Sequence, residues 1–292
     1  MFPGSFDYVR ATSLDEAIAL LEQYGDEARA LAGGQSLIPL MKLRLANPTV
    51  LVDLNPVPGL DYLRTDNGSV CIGALARHAD VEQWGQLPSL LPIVHDAVVL
   101  VGDAQVRSLG TVVGAMAEAD PGGDWGPVVL ALGGELSCVG PVGARTIPVT
   151  EFFTDSYTTA LEPTELIAEL RLRLPPTGSG GAYLKLERRA GDFAVVGMAV
   201  QISVDASGVC QEIGIGLSGV GPTPIKATAA ETILRSSTLD EAAIDEAVRA
   251  IETAIDPASD VRASAEYRRE MAGVYFRRAL QRARSRATST RS

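Results

Sequence analysis

Cysteine is scarce in this sequence. Among 292 residues there are three, Cys71, Cys138 and Cys210, far apart and with no C-x-x-C pair. A zinc site or an iron–sulfur cluster needs several closely spaced thiolates, so this chain's cysteines alone can build neither. The odd, scattered set fits buried thiols in a reducing compartment. Histidine is scarcer still: His78 and His95 are the two, and neither lies at metal-ligand spacing from a partner. Basic charge is in deficit, with 25 Lys and Arg against 36 Asp and Glu and a net charge of -11. That balance excludes nucleic acid as the main partner, because phosphate backbones call for the reverse. No apolar run reaches bilayer length, and the opening MFPGSFDYVR lacks the basic-then-apolar order of a secretory signal. A cytoplasmic protein without a membrane span is expected. Ser36 and Ser108 lack a G-x-S-x-G setting, so no serine nucleophile is supported.

What is present is apolar residue in quantity, 46% of the chain, enough for sizeable cores. Ser13 and Glu16 have capping-box spacing ahead of a helical face at Leu14, Ala17, Ile18 and Leu21. Short strands are expected at Arg29–Leu31 and within TVLVDLN (Thr49–Asn55), and Pro56 and Pro58 close a first subdomain, 1–58. A second, 59–175, opens with a hairpin signal at Asp66-Asn67-Gly68. PPTGSGG (Pro175–Gly181) reads as a linker over 176–181. Beyond it, 182–286 reads as a three-stranded antiparallel sheet followed by helices, the last from about Ala263 to Arg284. Thr238 and Glu241 give another capping-box pair, and 287–292 reads as a disordered basic tail. The order of these elements makes the fold class α+β.

Three glycine segments invite a ligand. Gly33-Gly34-Gln35-Ser36 precedes a helical stretch, and bare backbone there can turn several amides toward an anion such as phosphate, or merely turn the chain. Gly110, Thr111 and Gly114 combine hydroxyl and bare backbone in a second loop. Asp120 and Asp124 flank a turn after it; they could bind ribose hydroxyls or a metal, or Asp124 could cap the helix starting at Trp125. The third segment, Gly214-Ile215-Gly216-Leu217-Ser218-Gly219, has the dinucleotide spacing, but Pro222 and Pro224 stand where its helix should begin, so it reads as a decoy.

AGGQS followed by LIPLMKLR, then QVRSLGTVVG, AEADPGGD and, after the glycine stretch, RRAGDFAVVGMAV together resemble the FAD-binding medium subunits of the molybdenum hydroxylases. PGSFDYVRATSLDEAIALL and AEYRREMAGVYFRRAL fit the same pattern, so the resemblance spans nearly the whole chain. Among the subfamilies it is most similar to the carbon monoxide dehydrogenase medium subunits. The resemblance implies a two-subdomain FAD-binding domain of the PCMH/vanillyl-alcohol-oxidase type, followed by an antiparallel sheet with a helical bundle. It implies that Ala32, Gly33, Gly34, Gln35 and Ser36, flanked by Leu31 and Leu37, wrap the FAD pyrophosphate. Gly110, Thr111 and Gly114 would hold it from the other side. Asp120 and Asp124 would meet polar parts of the cofactor, Val101 and Leu161 would give apolar contacts, and Lys185 and Phe193 would lie near the isoalloxazine.

The implied partners are a large molybdopterin subunit and a small subunit with [2Fe-2S] clusters, in a dimer of heterotrimers. Electrons would pass from the clusters to FAD and on to an external acceptor. A self-contained FAD oxidoreductase and a structural subunit with weakened FAD binding are the competing readings. Two departures from the family pattern bear on the second. Val113 stands where T-x-G-G has glycine, which matters if that position needs a positive φ and is mild if it only packs. Glu118 stands where histidine is common and adds a carboxylate near the expected phosphates.

Overall fold

The computed structural model describes residues 2–289. Its first unit is a parallel sheet of Asp7–Arg10, Val50–Asp53 and Ala28–Leu31, in that spatial order. Val50–Asp53 lies in the middle and is buried at all four positions. Helix Leu14–Tyr24 crosses between the outer strands and buries Ala17, Ile18 and Leu21, the face expected from the spacing. Ser13 Oγ accepts from Glu16 N at 3.1 Å, while the Glu16 carboxylate accepts from Thr12 N at 2.7 Å. The box therefore closes one residue earlier than the spacing suggests.

The second unit is a five-stranded antiparallel sheet in the order Leu63–Asp66, Ser69–Gly73, Leu166–Arg173, Glu135–Gly140, Gly143–Pro148. The first hairpin turns at Asn67 (φ 46°) and Gly68 (φ 75°), two successive left-handed residues that match the right-handed twist of the strands. Helix Trp125–Leu132 is buried at all eight positions. It is apolar all round because it lies between this unit and the next.

That next unit has three long antiparallel strands, Ser179–Leu186, Val196–Val204 and Cys210–Ser218, and a two-residue fourth, Ile225–Lys226, beyond the three expected. Val196–Val204 is buried at all nine positions. Met198, Val200, Ile202 and Val204 join the core beneath the C-terminal helices, while Ala199 and Tyr183 join the core of the N-terminal units. The period-two pleat thus serves two cores at once.

One sequence expectation changes here and another holds. The GSGG stretch is not a free linker: Ser179–Gly181 are paired strand residues, and a Cβ on Gly180 would lie 2.1 Å from Ala283 O in the last helix. The G-x-G-x-x-G segment is strand, and its glycines serve packing. Added Cβ atoms at Gly214 and Gly216 would lie 1.9 Å from Ala131 O and 2.1 Å from Pro127 O, both in helix Trp125–Leu132. Helices Thr228–Leu234, Glu241–Ala254 and Ala265–Ser289 complete the unit. The cap of Glu241–Ala254 is Asp240, whose Oδ1 accepts from Ala243 N at 3.0 Å, rather than Thr238.

The expected tail is corrected in the same way. The last helix runs through 287–289, with Ala287 fully buried, and 290–292 lie outside the described residues. Arg286 donates to Gly181 O and Asp96 Oδ2, both at 2.6 Å, and Arg282 donates to Asp96 Oδ1 at 3.0 Å. The Asp96 carboxyl is only 10% exposed, so losing its cations leaves a charge poorly solvated. Arg286→Ala is expected to cost about 1–3 kcal/mol, and Arg282→Ala with Arg286→Ala more than either alone. Equilibrium urea unfolding checks this; an unchanged midpoint in the double variant contradicts the brace.

Candidate functional site

The two glycine loops meet. Ala32–Ser36 leaves the end of strand Ala28–Leu31 and enters the short helix Leu37–Lys42. Leu109-Gly110-Thr111 joins helices Ala104–Leu109 and Val112–Glu118. A Cβ on Gly33 would lie 2.2 Å from Leu109 O and 2.7 Å from Gly110 Cα. Gly33 is therefore bare because the other loop presses on it, and Gly34 because its φ is +68°. Among the described residues, the amides of Gly33, Gly34, Gln35 and Ser36 have no protein acceptor, so four donors remain open on a half-buried loop.

The second loop is held rigidly. Thr111, 3% exposed, accepts on Oγ1 from Gly114 N at 3.0 Å and keeps its own hydroxyl proton to donate. His78 N donates to Gly110 O at 3.0 Å and Val112 N to Ala76 O at 3.3 Å. The His78 ring stacks on Trp125 at 5.8 Å. Burial, helped by the Arg107 cation, pushes His78 down to about 4, so it is neutral at physiological pH. Val113 is resolved as a packing position: it lies in the first turn of its helix, outside the positive-φ set, with its side chain 4% exposed in the core.

The other expected residues fall into two groups. Asp120 and Leu161 are half-buried and Phe193 is exposed. Asp120 accepts from Gly122 N at 2.8 Å and from the Tyr157 hydroxyl at 3.2 Å. Gly122 O accepts from Ala194 N at 3.1 Å, which sets Phe193 beside the Asp120 turn. Phe193 is 46% exposed, with the Arg262 guanidinium 5.9 Å from its ring centre. Leu161, half-buried, follows the hairpin that carries Tyr157.

Asp124 and Lys185 form the second group, and they turn inward. Lys185 Nζ, with its side chain 1% exposed, donates to Leu100 O at 2.9 Å and Asp124 Oδ2 at 3.1 Å, and lies 3.4 Å from Glu187. Tyr183 donates to Asp124 Oδ1 at 2.6 Å. Two of its three ammonium protons are used by Leu100 O and Asp124, while Glu187 is held at ion-pair distance without a hydrogen bond. Asp124 makes no cap bond to the helix it precedes. Burial pushes its carboxyl up against the opposing pull of Lys185 and Tyr183. The pair fastens the strand Ser179–Leu186 to the loop before Val101, which is half-buried beside it.

Sequence reasoning missed the groups that join these parts: Asn55, Arg77, Tyr157 and Tyr183. None belongs to a spaced motif, and only the fold brings them to the loops. The three cysteines are buried, and burial pushes Cys138 and Cys210 up to about 11, which leaves them as inert thiols. Among the described residues, no helix is long and apolar enough to cross a membrane.

Comparison with known proteins agrees with this architecture. The family described as FAD binding domain in molybdopterin dehydrogenase matches residues 4–176, and CO dehydrogenase flavoprotein C-terminal domain matches 181–283. The chain is 43% identical to the carbon monoxide dehydrogenase medium chain of Afipia carboxidovorans, over 98% of this chain and 99% of that one. It is 38% identical to the 6-hydroxypseudooxynicotine dehydrogenase complex subunit alpha of Paenarthrobacter nicotinovorans, over 100% and 98%. It superimposes on a chain of the cyanide-inactivated Cu,Mo-CO dehydrogenase crystal structure with a TM-score of 0.96, at 43% identity, covering 98% of this chain and 100% of that one. The chain belongs to the flavoprotein subunits of the molybdenum hydroxylases, of the carbon monoxide dehydrogenase medium-chain type. FAD is its cofactor, and the molybdopterin and iron–sulfur centres of such complexes reside on other subunits.

Glu118 is the family departure with a measurable consequence. Burial, reinforced by the Asp120 carboxylate, lifts it from 4.5 to about 7. The folded chain then keeps a proton that the unfolded chain releases, so stability is full below pH 4.5 and falls as pH rises toward 7. Glu118→Gln should match the parent near pH 4.5 and exceed its stability at pH 8 by on the order of 2 kcal/mol. Urea unfolding at the two pH values tests it; identical pH dependence in parent and variant would refute the assignment.

Proposed function

We propose that this chain is the electron-transfer subunit of its complex, taking electrons from the iron–sulfur clusters of a small partner and passing them to an external acceptor. A large molybdopterin subunit completes the heterotrimer, and two heterotrimers pair. The carrying observation is the contact of Gly33 with the Leu109–Gly110 backbone beside four open amides. That surface fits a diphosphate: the donors are backbone, fixed by the fold, and need no cationic side chain. The diphosphate lies against the joined loops, with Leu31–Leu37 on one side and Gly110, Thr111 and Gly114 on the other.

The rest of the chain's work is positional. Asp120 and Phe193 border the cofactor, and Val101 and Leu161 give apolar surface. Asp124 and Lys185 support that wall from within through Tyr183 and Leu100. Bound FAD supplies a carrier that can exchange electrons singly or in pairs. The protein supplies orientation and exclusion of water, which needs no acid–base residue of its own. Val113, packed in the core, supports retained FAD binding against the reading of a purely structural subunit. The relatives act on carbon monoxide and on 6-hydroxypseudooxynicotine by name, so substrate choice belongs to the partner that holds the molybdenum.

The purified chain, alone and with its partner chains, should take up FAD and show a bound-flavin spectrum. A colourless protein after incubation with FAD would sink the proposal, and substrate turnover by the isolated chain would favour the self-contained oxidoreductase. Gly33→Ala drives a methyl into Leu109 O and should weaken FAD binding by about 10- to 100-fold, read by flavin fluorescence titration.

A further inference from the structure

The two glycine loops belong to different units, and the chain passes from one unit to the other through Asn55-Pro56-Val57-Pro58. At that crossing, two side chains connect the loops. Asn55 Nδ2 donates to Ala32 O at 3.0 Å, at the root of the first loop. Asn55 Oδ1 accepts from Arg77 Nη2. Arg77 Nη1 donates to Leu109 O at 2.6 Å, the same carbonyl that faces Gly33. The path from loop to loop is therefore Ala32 O, Asn55, Arg77, Leu109 O, with no gap.

Both ends of the path are fixed by other contacts. The Asn55 backbone N–H donates to Asp53 Oδ1 at 3.0 Å, and the other Asp53 oxygen accepts from the Tyr8 hydroxyl. Burial would raise the Asp53 carboxyl, but the bonds from Tyr8 and Asn55 outweigh it and hold it below its usual range. It thus stays an acceptor that orients Asn55. Arg77 N donates to Asp80 Oδ2 at 2.9 Å, and Arg77 forms a backbone bridge with Thr111. A guanidinium suits this place because its planar fork reaches two divergent acceptors, whereas an ammonium is a single point of charge.

We infer that Asn55 and Arg77 are a strut that sets the spacing of the two glycine loops, and so are positioning residues for the FAD diphosphate. This rests on the FAD-binding role above. The four open amides are useful only if the second loop stands at a fixed distance from them. The strut sets that distance before any ligand arrives, so ordering is not charged against binding.

The test uses the full chain with Asn55→Ala, Arg77→Lys and the double variant. Asn55 is exposed, so its truncation leaves the core intact. Two readouts are taken: FAD affinity by fluorescence titration, and amide hydrogen exchange of 30–37 and 108–114 without FAD. Each single variant should weaken FAD about 10- to 100-fold and speed exchange in both loops. The double variant should be little worse than either single one, because each breaks the same path. Arg77→Lys keeps the charge; if it binds FAD as the parent does while Arg77→Met does not, the residue acts by charge and the strut is refuted. Additive losses, or loops that exchange as in the parent, also refute it. If the parent itself takes up no FAD, the cofactor reading fails, and faster exchange in both loops of the variants still establishes the strut.

Discussion

The site depends on one approach between two stretches of backbone. Gly33 lies so close to Leu109 O and Gly110 that a side-chain carbon has no room. Everything nearby is arranged to permit that approach or to hold it. The parallel sheet delivers the first loop at the end of Ala28–Leu31. His78, Ala76 and Thr111 clamp the second loop by its own peptide groups. With the loops joined, the four open amides of the first loop stand against the backbone of the second.

A second device builds the wall. The strand Ser179–Leu186 presents Tyr183 and Lys185 to Asp124 on the N-terminal units, and the strand Cys210–Ser218 presents glycines to helix Trp125–Leu132. Removing the side chains at Gly214 and Gly216 lets helix and sheet approach at backbone distance. The buried ion pair is satisfied on both sides, and its cost of desolvation is offset by bonds from Tyr183 and to Leu100 O. Its service is to register one unit on the other, which a purely apolar contact does less specifically.

Much of this was legible in the sequence where the signal is local. The helix at Leu14–Tyr24, the hairpin at Asn67-Gly68 and both glycine loops follow from spacing and turn chemistry. The resemblance to flavoprotein subunits rested on three ordered motifs and agrees with the family matches. Misreadings arose where one residue type serves two physical ends. Glycine in GSGG marks flexibility in an isolated peptide and close packing in this fold. The stretch 287–292 reads as a loose basic tail, yet the helix continues to Ser289 and Ala287 is buried. Asp124 before a helix looks like a cap, yet its oxygens point across a domain seam. Asn55 and Arg77 carry no motif because their meaning lies in what they join.

The bond between Arg286 and Asp96 spans 190 positions of the chain. During synthesis, Asp96 and the helix that carries it emerge long before their cation. The strand Ser179–Leu186 likewise waits for the helix that will lie across Gly180. A nascent chain therefore exposes one face of the third unit until the helix Ala265–Ser289 has been made. Chains stalled before that helix would present the apolar face it covers.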